Sequence, residues 1–179
     1  MADVVLRATQ PALGAIKLAW WRERLEELDQ GKVPAEPRLQ AAASELLPRA
    51  ISGAELADLE EGWAKLLEAD DPKAFMVSAN TRGPLLLKLT SKLLDPARDY
   101  DFSSTGTEFA LVDLARRGLV DIAAQRLQRP NRRYPRRIRP ATALWALARR
   151  DQKLGGPPFE PEGTPGRAWT LLRHRLTGR

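Results

Sequence analysis

The sequence predicts an all-α protein, and three observations carry that prediction. Leucine, alanine and arginine dominate the 179 residues, and the β-branched residues that favour strands are sparse. Apolar residues recur three or four positions apart in most segments, which is the spacing of one helix face. Glycine and proline stand where such segments begin or end, as they do at helix termini. We therefore expect a helical bundle.

The composition excludes several classes of protein. The chain contains no cysteine, which excludes thiol catalysis, disulfide bonds and metal sites with cysteine ligands. It has no run of about 18 apolar residues, so we expect no transmembrane helix. Its first residues, MADVVLRATQPAL, lack a long apolar core and a small-residue cleavage site, so we expect no signal peptide. These features predict a cytoplasmic protein.

Charge is divided unevenly along the chain. Residues 1–95 contain 12 Lys+Arg and 15 Asp+Glu, whereas residues 96–179 contain 17 and 8. The second part is therefore strongly basic, and the first is slightly acidic. We expect the second part to carry a basic surface or to face an anionic partner such as a phosphate, a diphosphate, nucleic acid or an acidic lipid headgroup.

The first long helix is predicted over residues 11–30 and ends at Gly31. Two apolar stripes run along it. The stripes consist of Leu18, Trp21, Leu25 and Leu28, and of Leu13, Ile16 and Trp20. Adjacent Trp20 and Trp21 belong to different stripes because successive side chains on a helix point about 100° apart. Two stripes predict a helix with neighbours on two sides, as in a bundle.

Two capping boxes predict the starts of further helices. In SGAE, Ser52 is the N-cap and Glu55 stands three residues later. In TGTE, Thr105 and Glu108 have the same relation. The other predicted helices cover residues 38–47, 74–80, 83–94, 119–128 and 140–151.

Domain organisation is predicted from the position of Pro, Gly and Arg. The predicted parts are a helical bundle domain (1–152) with an arginine-rich connector (126–140), a Pro/Gly linker (153–165) and a C-terminal docking helix (166–179). In that last helix, Trp169, Leu172 and Leu176 share a face opposite Arg167 and Arg173. This face fits docking onto the bundle, and it also fits a peripheral contact with a membrane surface.

Groups for nucleophilic, nucleotide or metal chemistry are few. His174 is the only histidine, and no glycine-rich phosphate-binding loop occurs. Two carboxylate pairs have the i, i+4 spacing that can hold Mg²⁺ against a diphosphate, Glu23 with Glu27 and Asp95 with Asp99. We interpret the first pair as a salt-bridged surface and Asp95 as an N-cap. We therefore predict no metal site.

The arginine tract RLQRPNRRYPRRIRP contains seven arginines and no acidic residue. One interpretation is anion binding, with Arg132, Arg133, Arg136 and Arg137 on phosphates and Tyr134 stacked on a base. The other is a solvated connector whose arginines pair with the acidic first half. We favour the connector, because one aromatic residue among seven arginines is little for nucleic-acid recognition.

The segments GAIKLAWWRERLEEL, GKVPAEPRLQ and LLPRAISGAELADLEEGW resemble the squalene/phytoene synthase family in its bacterial members. The resemblance rests on an apolar helix with Trp-Trp-Arg, a G-x-x-P loop and a Leu-Pro-Arg turn into an acidic helix. It covers about the first 70 residues well. RRYPRRIRP and WTLLRHRLTGR are similar to the C-terminal parts of reduced members.

The resemblance implies an isoprenoid-synthase-like helical bundle, here truncated or reduced. Active members condense two prenyl diphosphates head to head, with Mg²⁺ held by two D-x-x-x-D motifs. In this chain the first motif is missing, and DLARR at 113–117, in the place of the second, ends in arginine. The resemblance thus implies a protein without catalytic activity that binds an isoprenoid or lipid, or acts as an accessory or assembly protein.

The same resemblance implies candidate site residues. Asp113, Arg116 and Arg117 are expected to bind substrate, and Trp20 and Trp21 to shape the packing around the cavity. The implied partners are a prenyl diphosphate or another lipid, and a protein. Mg²⁺ is implied as a cofactor only for an active enzyme.

Two alternatives stay open. The first is an active prenyltransferase whose N-terminal segment precedes Met1, which a D-x-x-x-D helix in the upstream coding DNA would indicate. The second is a basic module that binds nucleic acid through residues 126–139. That module would lose affinity steeply with salt.

Overall fold

The computed structural model describes residues 1–67, 72–121 and 133–179. All regular structure in these residues is helical, which confirms the predicted all-α fold class. The α-helices are, in chain order, α1 (Ala2–Leu6), α2 (Pro11–Leu28), α3 (Pro37–Ala41), α4 (Gly53–Ala57), α5 (Leu59–Leu67), α6 (Pro72–Leu94), α7 (Ser103–Arg116), α8 (Ala143–Lys153) and α9 (Pro165–Thr177). A turn of π-helix at Ala42–Leu46 and 3₁₀ turns at Leu47–Arg49 and Arg136–Ile138 lie between them. None of the described helices is long and apolar enough to cross a membrane.

The chain divides into two compact units, Met1–Arg82 and Gly83–Arg179. In the first unit, α2 packs against α4 and α5. The first predicted stripe of α2 is buried, with Leu18 at 0% and Leu28 at 2% exposure. Trp21 is half-buried against the core that includes Leu28. The prediction of a core-facing stripe on α2 is confirmed.

The second predicted stripe of α2 is exposed, so the prediction of neighbours on two sides is wrong. Leu13 is 48% exposed, Ile16 65% and Trp20 41%. Helices α1, α3, α4 and α5 all contact α2, but no described element buries Leu13, Ile16 and Trp20. The ring of Trp20 lies edge-on to that of Trp21, with 5.2 Å between their centroids.

The first capping box is confirmed at the start of α4. The backbone N–H of Glu55 donates to the Ser52 hydroxyl at 3.0 Å, and the N–H of Ser52 donates to the Glu55 carboxylate at 2.9 Å. The carboxylate of Asp29 accepts hydrogen bonds from the N–H groups of Gly53 and Ala54 at 2.6 and 2.9 Å. Asp29 therefore ties the end of α2 to the start of α4.

The second predicted capping box is wrong, because α7 begins at Ser103, two residues before Thr105. Thr105 is buried and hydrogen-bonds to the hydroxyl of Tyr134. Glu108 is also buried, and it accepts a hydrogen bond of 2.6 Å from the indole N–H of Trp145. Both side chains of the pattern therefore serve core partners and not the helix N-terminus.

One continuous helix, α6, replaces the two helices predicted over residues 74–80 and 83–94. Pro84 lies inside α6, next to Gly83. A Cβ atom on Gly83 would collide with the backbone of Gly106 on α7, so the absence of a side chain permits this close approach. Of the helix predicted over 119–128, residues 119–121 are not helical, and the others lie outside the described residues.

The core of the second unit is aromatic. The rings of Phe102 and Tyr134 stack with 5.9 Å between their centroids, and Trp145 meets Tyr134 edge-on at 5.5 Å. Leu87 and Ile138 complete this buried cluster, at 1% and 0% exposure. The cluster joins α6, the start of α7, the segment before α8, and α8. The ring of Trp145 also meets that of His174 on α9, with 6.1 Å between their centroids.

Candidate anion-binding site

A buried carboxylate on α8 holds three helices of the second unit together. The side chain of Asp151 is 1% exposed. It accepts a hydrogen bond from Arg116 Nε of α7 and one from Arg167 Nη1 of α9, each at 2.8 Å. A carboxylate buried in this way is stabilised only when it is paired and hydrogen-bonded. Asp151 therefore links α7, α8 and α9.

The loop between α8 and α9 is fixed by a second carboxylate, Glu160. It accepts hydrogen bonds from the guanidinium of Arg150 and from the hydroxyl of Thr164, the latter at 2.6 Å. These bonds hold the pKa of Glu160 at about 2, well below its usual 4.5. Thr164 is also the N-cap of α9. The segment predicted as a linker thus positions the last helix.

Helix α9 packs through its polar face. Arg167 is 8% exposed and His174 is 1% exposed. His174 Nε2 and the hydroxyl of Thr142 hydrogen-bond at 2.8 Å. Burial lowers the pKa of His174, which keeps the ring neutral beside nearby arginines.

The face of α9 that was predicted to dock onto the bundle is instead exposed. Trp169 is 64% exposed, Leu172 46% and Leu176 67%. The prediction failed because the carboxylate of Asp151 and the hydroxyl of Thr142 attract the polar side of the helix. Apolar spacing alone carries no information about those partners.

A cavity of about 320 Å³ lies between α8 and α9, and we call it the basic cleft. Its cationic lining residues are Arg149, Arg150, Lys153, Arg173 and Arg179. Arg150 is paired with Glu160. Within the described ranges, Arg149, Lys153 and Arg173 have no carboxylate partner. The cleft therefore has a positive potential that attracts anions.

Apolar side chains share the basic cleft with these cations. Leu154 and Trp169 line it and are 58% and 64% exposed. A ligand with an anionic head and an apolar chain could place its head against the cations and its chain against Leu154 and Trp169.

Two described arginines of the arginine tract, Arg133 and Arg139, contribute to the structure of α9. Arg139 donates to the carbonyl oxygens of Arg175 and Leu176, each at 2.8 Å, and so caps the C-terminal end of α9. Arg133 donates to the carbonyl of Thr177 at 3.0 Å. Tyr134 is 4% exposed within the aromatic core. It is therefore not available to stack on a base.

The other anion-binding candidates lie apart from the basic cleft. Arg136 lines a second cavity, of about 440 Å³. Arg137 is exposed, with Nη1 4.0 Å from Oδ1 of Asp95. Arg132 lies outside the described residues.

The candidate substrate-binding residues fall in both units. Trp20 and Trp21 belong to the first unit, and the others to the second. Arg116 bonds to Asp151, and Arg117 Nε lies 3.0 Å from Oδ1 of Asp113. Arg116 therefore pairs with α8 and Arg117 with its own helix, and none of these side chains lines the basic cleft.

The carboxylate pairs behave differently from one another. Glu23 and Glu27 both pair with Arg24, at 2.9 and 2.8 Å, which confirms a salt-bridged surface. Asp95 is not an N-cap, because no helix begins there. It is buried and accepts a hydrogen bond of 2.7 Å from the Tyr100 hydroxyl. Among the described residues, no three acidic or histidine side chains lie together as a metal site would require.

Sequence reasoning missed the basic cleft, although part of its signal was visible. Arg149 and Lys153 stand four residues apart and therefore share one face of α8. The helix dipole also favours cations in the last turn of a helix, so this spacing alone does not indicate a binding site. The contribution of Arg173 depends on how α9 is rotated, which local spacing does not determine.

Comparisons of this chain with protein-family models, with curated proteins and with solved structures find no match.

Proposed function

We propose that this chain is a reduced squalene/phytoene synthase-like protein that binds a prenyl diphosphate, or a lipid with a similar head, without condensing it. The observation that carries the proposal is the basic cleft. In it, cations that have no carboxylate partner in the described part of the chain stand beside exposed Leu154 and Trp169. The resemblance of the first 70 residues supplies the class of ligand.

The cations of the cleft suit a diphosphate head. Arg149 and Arg173 carry planar guanidinium groups that can donate two parallel hydrogen bonds to phosphate oxygens. Lys153 adds a compact charge on a flexible stem. A prenyl chain would cover the apolar surfaces of Trp169 and Leu154, which are exposed to water in the unliganded chain. Protein cations would neutralise the head, so we expect binding without Mg²⁺.

The placement of the aspartates supports the absence of catalysis. Asp113 is paired with Arg117 on its own helix. Asp95 is buried against Tyr100, whereas the side chain of Asp99 is 77% exposed. Neither D-x-x-x-D-like segment therefore presents two carboxylates together to a metal-bound diphosphate, as the condensing enzymes require.

Calorimetric titration with farnesyl diphosphate tests the proposal. We expect micromolar binding of similar strength with and without Mg²⁺, and weaker binding of both farnesol and inorganic diphosphate. The double variant Lys153→Gln/Arg173→Gln should weaken binding by about a hundredfold, because each of the two charge-assisted hydrogen bonds contributes about 1.5 kcal/mol.

A matched control removes one lysine and one arginine that lie in the first unit, away from the basic cleft. Lys32→Gln/Arg38→Gln changes two exposed cations of the first unit, and it should leave the affinity unchanged. Binding that requires Mg²⁺ would contradict the non-catalytic proposal and favour an active prenyltransferase. Equal effects of the two double variants would contradict the assignment to the basic cleft.

A further inference from the structure

The orientation of α9 leaves an apolar stripe facing water. Trp169, Leu172 and Leu176 follow one another at i, i+3 and i+7, so they form a continuous line along the helix. Each is between 46% and 67% exposed, whereas Arg167 and His174 on the opposite side are buried. Continuous exposed apolar surface of this kind marks an interaction site more often than an isolated exposed leucine does.

The charges beside this stripe have one sign. At 100° per residue, Arg173 and Arg175 project from opposite sides of the stripe. Both are exposed. Residues 163–179 contain no acidic residue. The stripe is therefore bordered by long cationic side chains on both sides.

We propose that α9 is a docking helix for an anionic lipid bilayer, and that it lies in the plane of the interface. The stripe would enter the boundary between headgroups and acyl chains, and the flanking arginines would extend to the phosphates. Charge complementarity selects this occupant, because an anionic headgroup layer would meet Arg173 and Arg175 simultaneously. Trp169 and Arg173 also line the basic cleft, whereas Leu172, Leu176 and Arg175 do not. The inference can therefore be tested separately from the proposed function through Leu172 and Leu176.

Flotation of the full chain with vesicles tests this inference. We expect binding to phosphatidylcholine vesicles that contain phosphatidylserine, little binding to phosphatidylcholine alone, and loss of binding with added salt. Leu172→Ser/Leu176→Ser should reduce binding by about tenfold or more. Arg173→Gln/Arg175→Gln should reduce it by about tenfold.

Leu13→Ser/Ile16→Ser is the matched control, because it removes exposed apolar surface from α2 in the first unit. It should bind the vesicles like the parent chain. Circular dichroism and thermal melting establish that each variant is folded, as expected for substitutions at exposed positions.

Three results would overturn the inference. The first is that the folded parent chain does not bind the anionic vesicles. The second is that the α2 control loses binding as strongly as the Leu172→Ser/Leu176→Ser variant. The third is that the Leu172→Ser/Leu176→Ser variant abolishes a dimer of the chain and not vesicle binding. The last result would assign the stripe to a second copy. The Leu172→Ser/Leu176→Ser variant should still bind farnesyl diphosphate, so failure of this inference and failure of the proposed function are separable.

Discussion

At the scale of single residues, the buried carboxylate of Asp151 organises the second unit. It faces two guanidinium groups, from Arg116 and Arg167, at 2.8 Å each. Removal of its charge would leave both cations partly or fully buried without their partner, which costs far more than the loss of a surface ion pair. The packing of α9, and with it the basic cleft, depends on this residue.

Asp151→Asn should therefore lower the free energy of unfolding by about 3 kcal/mol. Urea denaturation at neutral pH measures the change. Asp99→Asn is the control, since the Asp99 side chain is 77% exposed and its ion pair with Lys88 spans 3.7 Å. That control should change the free energy of unfolding by less than about 0.5 kcal/mol. Similar losses in the two variants would show that Asp151 has no special structural role.

His174 predicts how stability depends on pH. Burial lowers its pKa in the folded chain below the usual 6.5, so the unfolded chain takes up the proton first as pH falls. The contribution to stability is complete above about pH 6.5 and declines below it. The free energy of unfolding should thus decrease between about pH 7 and pH 5.5.

Because His174 is the only histidine, the variant His174→Gln provides the control. Its free energy of unfolding should change much less over the same pH range than that of the parent chain. A parent chain whose stability is constant across this range would contradict the burial of a neutral His174.

The two capping boxes show what could be predicted at this scale. Ser52 and Glu55 follow the pattern and cap α4 through reciprocal hydrogen bonds. Thr105 and Glu108 have the same local pattern, but Tyr134 and Trp145 bind them in the core. The outcome depends on residues about 30 to 40 positions away, so the local sequence cannot decide it.

At the scale of elements, periodicity identified α2 and α9 but did not determine which of their apolar stripes are buried. On α2 the stripe with Leu18 is covered and the stripe with Ile16 is exposed. On α9 the apolar stripe is exposed, and the polar face is buried through Arg167 and His174. A face is buried when neighbouring elements cover it, and for α9 buried hydrogen-bond partners outweigh apolar area.

Because one stripe of α2 is buried and the other is exposed, shortening a side chain to alanine should have unequal effects on the two stripes. Leu18→Ala should lower the free energy of unfolding by about 3 kcal/mol, because Leu18 is fully buried. Ile16→Ala should change it by less than about 0.5 kcal/mol, because Ile16 is 65% exposed. Chemical denaturation measures both. Equal destabilisation would mean that the second stripe is buried in solution.

At the scale of the whole molecule, the helical fold class and the uneven distribution of charge could be predicted from composition. The division into Met1–Arg82 and Gly83–Arg179 could not, because its boundary lies inside the continuous helix α6. No shift in composition marks that point. In the Pro/Gly segment that is predicted as a linker, Glu160 accepts hydrogen bonds from Arg150 and Thr164, and these bonds fix the segment in place.

The sequence predicts an anionic partner for the second part of the chain, but it does not predict which residues line the candidate site. The basic second half indicated an anionic partner, and the arginine tract was its most conspicuous part. In the structure Arg133 and Arg139 of this tract bond to carbonyl groups at the end of α9. The cations that line the basic cleft come instead from α8, α9 and the C-terminal Arg179, which only tertiary packing brings together.

The most direct test of the central claim locates the diphosphate on the chain. Inorganic diphosphate is titrated into isotopically labelled protein, and the backbone amide chemical shifts are followed by NMR. We predict the largest changes in the last turn of α8, around Lys153, and in α9 around Arg173. Changes confined to α7 around Asp113, or to residues 133–139, would contradict the assignment of the basic cleft.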